Sequence, residues 1–125
     1  MAWGATKGYT EPTASERLSR ITAAVKKLSD EVLARIVITR PEHWVEGKFV
    51  NAAGARCLVG HLEDWKYAEN GIHFPQKPLN ENLERVQLMA DFDGLVSHYG
   101  NVKDAAKSIR KIILEEQARR SKKKE

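Results

Sequence analysis

Gly54-Ala55-Arg56-Cys57-Leu58-Val59-Gly60-His61-Leu62 joins a turn to an apolar helix and carries the chain's only cysteine. It follows Trp44-Val45-Glu46-Gly47-Lys48-Phe49. Cys57 and His61 stand four residues apart, close to one helical turn, so both project from one side. A thiolate beside an imidazolium near a helix N-terminus is a nucleophile, and Asp64, a further near-turn along, is placed to orient the histidine. No protease elbow, redox pair or CxxC unit accompanies them, however. The competing reading makes Cys57 a small buried hydrophobe and His61 a partly exposed polar group. Gly60 supports the second reading. Glycine inside a helix costs about 1 kcal/mol relative to alanine, a cost that makes sense if its missing side chain allows close packing. Trp44 and Trp65 then read as core or core-edge residues. The block is expected to be a structural hinge, with no catalytic residue in it.

Working outward, residues 1–12 read as a loose arm, 13–117 as a single helical domain and 118–125 as a basic tail. Thr13-Ala14-Ser15-Glu16 is a capping box, followed by Leu18, Ile21, Val25, Leu28 and Val32 at helical spacing. Ser29-Asp30-Glu31 is a candidate interruption with its own cap, and Pro41 ends the helical stretch near Thr39. Phe49-Val50 and Ala55-Arg56-Cys57 flank a tight reversal or short hairpin. The next helix is expected from Cys57 to about Tyr67, then a loop over Glu69–Pro78 marked by Asn70-Gly71 and two prolines. Asn80 is a candidate cap for a helix carrying Leu83, Val86 and Met89, bent or broken at Asp93-Gly94. Asn101 and Asp104 pair as a cap before Val102, Ala105, Ala106, Ile109, Ile112 and Ile113, the clearest amphipathic helix in the chain. The fold expected is mainly α, a compact domain of four or five helices, with one short β-hairpin as an optional addition.

Composition narrows the classes. The chain has 125 residues, 42% hydrophobic and 30% charged, as in an ordinary soluble protein. Its apolar runs are too short to cross a bilayer, no apolar signal segment opens it, and membrane insertion is not expected; a cytoplasmic location follows as an expectation. A single cysteine excludes an internal disulfide and a multi-cysteine zinc framework. The net charge of +4 resides in Arg119-Arg120-Ser121-Lys122-Lys123-Lys124-Glu125, leaving 16 bases and 16 acids in the preceding 118 residues. A neutral body argues against a phosphate-tracking surface, and cations at a helix C-terminus complement its dipole.

Other chemistry is thin. Cys57, His61, His73, His98 and Asp64 supply enough donors for zinc but lack a second compact ligand pair. No metal or other cofactor is expected. Asp91, Asp93, Glu81 and Glu84 match no EF-hand or phosphate loop. Phe92 through Lys107 resembles part of a helix-turn-helix, with a Gly-Asn turn and paired alanines, but no second turn follows Ala105-Ala106. Lys103, Lys107 and Arg110, with Arg119, Arg120, Lys122, Lys123 and Lys124, are the candidate nucleic-acid contacts. Trp3, Trp65 and Tyr67 are the candidate protein-interface residues, since clustered exposed aromatics make interface hot spots.

Taken together, Trp44-Val45-Glu46-Gly47, the glycine turn before Cys57-Leu58-Val59-Gly60-His61-Leu62, and Phe92-Asp93 before a capped terminal helix resemble an uncharacterised family of small actinobacterial and actinobacteriophage proteins. The resemblance spans roughly residues 18 to 113. Asp93 follows Phe92 without the family's usual asparagine, and Asn101 stands where a threonine cap is usual. The resemblance implies a fold and a biological setting, with no activity to transfer. The leading expectation is a non-enzymatic accessory protein that binds a protein partner in a phage or bacterial regulatory setting, with a homodimer left open. A DNA-associated regulator, and a Cys57/His61 enzyme or metal-binding protein, are the alternatives.

Overall fold

Thr13 opens the first helix as its capping box requires. The Glu16 amide donates to Thr13 Oγ1 at 3.1 Å, and the Thr13 amide donates back to Glu16 Oε1 at 2.9 Å. In this computed structural model, which describes residues 11–79 and 81–124, that cap starts α1 (Ala14–Val25). Ser29 then caps α2 (Asp30–Val37) by accepting from the Val32 amide. The interruption expected at Ser29 is therefore real, and Ile36-Val37 belongs to helix. A 3-10 turn over Pro41–His43 leads to a short α3 (Leu58–Leu62). Strands β1 (Lys66–Ala68) and β2 (Gly71–His73) form an antiparallel hairpin, followed by α4 (Glu81–Tyr99) and α5 (Val102–Lys124). The fold is mainly α, with a short β-hairpin, as the pattern predicted.

α1 and α5 pack against α4, and α2 lies along α5. Ile21, Leu33, Ile36, Leu58, Leu62, Phe92, Leu95, Ile109 and Ile113 are fully buried between them, which makes one continuous apolar core. α4 runs unbroken through Asp93-Gly94 because Gly94 serves packing: a Cβ there would strike the Arg17 guanidinium. Arg17 crosses this gap to reach the Ala90 carbonyl and Asp91. Gly100, at φ +87, reverses the chain before Asn101 caps α5. Asp104 accepts from the Asn101 side-chain amide, a short-armed variant of the box.

Besides the unbroken α4, two expectations need correction. The hairpin lies at 66–73, where a helix end and a loop were expected. Asn70-Gly71 is a hairpin signal, with Gly71 at φ +119. The 49–57 segment makes only isolated bridges, Val50 with Arg56 and Trp44 with Arg56. α3 stops early because Asp64 adopts φ +56. The Trp65 amide reaches back to the Gly60 carbonyl and the Asp64 amide to that of His61, a Schellman closure with aspartate in the usual glycine position. Arg56 and Lys66 stand 3.2 and 3.8 Å from the Asp64 carboxylate, with Arg35 at 3.9 Å; they hold a conformation that few non-glycine residues take.

The second correction concerns the tail. α5 continues to Lys124, and Arg120 folds onto the body. Its guanidinium donates to Glu116 Oε2 at 2.8 Å, Asp30 Oδ1 at 2.7 Å and the carbonyls of Val25 and Lys26. Arg120 thus serves the open carbonyl end of α1, and the packed domain extends past residue 117. Asn80 and nearly all of the 1–12 arm, Trp3 included, lie outside the described residues.

Candidate functional site

The block around Cys57 is the packing centre of the fold. Cys57 is completely buried at the N-cap of α3, and burial pushes its thiol up to about 11. His61 is 2% exposed, which corrects the expectation of a partly exposed side chain. Burial, reinforced by the nearby Arg56 charge, pushes its imidazole down to about 3. Its Nε2 donates to the His43 carbonyl at 3.0 Å, and its ring lies 4.2 Å from Trp44. At neutral pH both groups are uncharged, so the pair lacks the thiolate and imidazolium that nucleophilic chemistry requires. Among the described residues no three His, Cys, Asp or Glu side chains are grouped to hold a metal ion. Gly60 has the role its position suggested: a Cβ there would collide with the Phe49 carbonyl oxygen and stand 2.8 Å from Arg56 Cβ.

That close approach lays the 48–52 loop over α3 and creates an aromatic column. Trp65 is stacked between Phe49, at 4.4 Å between ring centres, and Phe74, at 4.6 Å. The Arg85 guanidinium covers the far face of Phe74 at 4.6 Å. Beneath them Glu63, fully buried, accepts from Trp65 Nε1 at 2.9 Å and Arg85 Nε at 2.7 Å. The carboxylate therefore ties the column to α4, and the indole cannot turn without taking a hydrogen-bond donor from a buried acceptor. Sequence reading placed Trp65 correctly at the core edge but missed Phe49, Glu63, Phe74 and Arg85 as its partners. Phe49, Phe74 and Arg85 lie too far along the chain to leave a local signal, and Glu63, two residues away, is marked only by its burial in the fold.

On this column stands the hairpin, with Tyr67 paired across from Ile72. Tyr67 is 55% exposed and Ile72 51%. They overlook a cleft of about 440 Å³ whose other walls include Lys48, Phe49, Asn51 and Trp65. The structure thus brings Trp65 and Tyr67 together around one cleft. A wider groove of about 820 Å³ separates α1 from α5, over Leu18, Thr22, Tyr99 and Ile112.

The candidate nucleic-acid contacts divide. Lys103, Lys107 and Arg110 line one small cavity of about 120 Å³ together with Thr39, Pro41 and Trp44. Arg119 and Arg120 are committed to Glu116, whose carboxyl they hold down at about 2, Arg119 most strongly. Lys122 and Lys123 are exposed, and the Lys124 side chain lies outside the described residues. No helix among the described residues is long and apolar enough to cross a membrane. No protein family matches the chain, and no curated protein or solved structure shows significant similarity to it.

Proposed function

We propose that this protein is a non-enzymatic accessory protein that captures an extended segment of a partner protein on the face of its hairpin. The observation that carries this reading is the half-exposed Tyr67–Ile72 pair standing over the clamped Phe49–Trp65–Phe74 column. Two large side chains are held open to solvent on a support that needs no ordering when a partner arrives, and such preorganisation lowers the cost of binding. The sheet has only two strands, so each keeps one edge of backbone donors and acceptors unpaired within it. An added strand satisfies such an edge while alternate side chains enter the cleft. Lys48 lines that cleft, so the fitting segment alternates apolar residues and carries an acidic flank. The resemblance to small actinobacterial and phage proteins suits a bacterial or phage regulatory setting for this role.

Selection from a random peptide library tests the proposal. Wild-type protein is expected to enrich apolar-alternating, acid-flanked peptides, and a Tyr67→Ser/Ile72→Ser double variant, folded by circular dichroism, is expected to lose them. Equal enrichment by the variant, or none by the wild type, overturns the reading.

A further inference from the structure

Trp44, whose ring also meets His61, lines the three-cation cavity, and the walls and rim of that cavity differ in chemistry. Lys103, Lys107 and Arg110 recur at i, i+4 and i+7 along α5, so they share one face. None is paired with an acid among the described residues: Asp104 is occupied by Asn101, and Glu42, exposed on the neighbouring turn, bonds none of them. Lys103 sits in the first turn of α5, where the helix dipole disfavours a cation. Lys107 has like charges at Lys103, four residues before it, and at Arg110 and Lys111, three and four residues after it, which outnumber the single acid Asp104 and weaken an isolated helix. A cluster that opposes its own helix in this way is relieved by a bound anion.

The walls carry no comparable polar demand. Trp44 Nε1 donates to Thr39 Oγ1 at 2.8 Å, and Thr39 Oγ1 donates to the Ile36 carbonyl at 2.8 Å. With those groups satisfied, the lining is the indole, Pro41, Ala106 and aliphatic stems. Arg110 is braced by donating Nε to the Val37 carbonyl at 2.9 Å, which leaves its two terminal nitrogens for a ligand. The cavity, about 120 Å³, is well below the roughly 300–1,000 Å³ of a typical ligand pocket. That space takes one small flat group and excludes a folded segment.

We infer that Lys103, Lys107 and Arg110 form a binding site for a phosphate ester whose small planar group enters the cavity against Trp44, the chemistry shared by a free nucleotide and a nucleotide of a single strand. The rim supplies charge to the phosphate, and Arg110 adds a planar fork suited to its oxygens. The wall supplies an apolar surface against which a base can pack. This site is separate from the hairpin face and stands or falls independently of it.

Nuclear magnetic resonance of the full chain, following the Trp44 indole and Arg110 Nε signals, tests the assignment with three probes: inorganic phosphate, adenosine monophosphate and a short single-stranded oligonucleotide. The monophosphate is expected to move both signals and to bind at least tenfold tighter than phosphate alone. A Lys103→Gln/Lys107→Gln variant, altered only at exposed positions, is expected to lose at least tenfold in affinity. A tighter oligonucleotide with a steep salt dependence places the phosphate in a strand; an oligonucleotide no tighter than the monophosphate places it in a free nucleotide. Silence of both signals with every probe, binding unchanged in the variant, or phosphate binding as well as the monophosphate overturns it.

Discussion

Gly60→Ala separates helix propensity from tertiary packing because the two act in opposite directions. Propensity alone favours alanine by about 1 kcal/mol in a helix interior. Against that, the new Cβ meets the Phe49 carbonyl oxygen, a backbone atom, and Arg56 Cβ at 2.8 Å. Neither neighbour is the free end of a flexible chain, so the 48–52 loop or α3 must shift. Overpacking of this kind costs about 1–3 kcal/mol, and the upper end applies because displacing Phe49 also disturbs its stack on Trp65. The net expectation is a loss of about 2 kcal/mol once the propensity gain is subtracted. An unfolding entropy of about 2.1 cal/mol/K per residue makes this a fall in Tm of about 8 °C for a chain of this length. Differential scanning calorimetry measures the shift, and near-ultraviolet circular dichroism should report loosening around Trp65. A Tm that is unchanged, or raised by the roughly 4 °C that propensity alone implies, refutes the packing argument.

Cys57 should resist a thiol reagent at pH 8 in the folded protein and react fully in denaturant, since burial holds it protonated with a value of about 11; rapid native labelling contradicts this. His61 sets an acid limit: its folded value of about 3 lies below the ordinary 6.5, so the unfolded chain binds the extra proton. Its contribution is complete above pH 6.5 and declines as pH falls toward 3, by up to about 1.4 kcal/mol per pH unit. Between pH 7 and 5 the drop in Tm should be smaller in His61→Gln than in the parent, and identical slopes would exclude the histidine as its source. Arg120→Ala should cost about 1–3 kcal/mol by removing hydrogen bonds to charged partners and to the end of α1. Deleting residues 122–125 should leave the thermal midpoint within a degree of the parent, and equal losses would show that Arg120 is no more structural than the lysines.

Much of the helical framework was legible without coordinates because helix starts are local. Thr13 with Glu16, Ser29, and Asn101 with Asp104 announce three of the five helices within a few residues each. The 3.6-residue spacing of Ala105, Ile109 and Ile113 announced the buried face of α5. Gly60 was recognisable as a packing device from its cost alone. The hairpin was misplaced although Asn70-Gly71 was visible, because nothing local showed that α3 would end at Leu62. That ending rests on Asp64, whose φ of +56 is stabilised by cations from positions 35, 56 and 66.

Local pattern alone specifies a mainly α chain with its principal caps, its apolar stripes and a glycine that demands a close neighbour. Tertiary structure decided the chemistry of the surfaces. Cys57 and His61 became neutral core groups through burial, Trp65 became the middle of a column through Phe49 and Phe74, and Arg120 became a cap for the end of α1 from 94 residues along the chain. The physical division is one of range. Capping and periodicity are settled between residues a turn apart, whereas burial, ion pairing and stacking depend on partners that only the folded chain brings together.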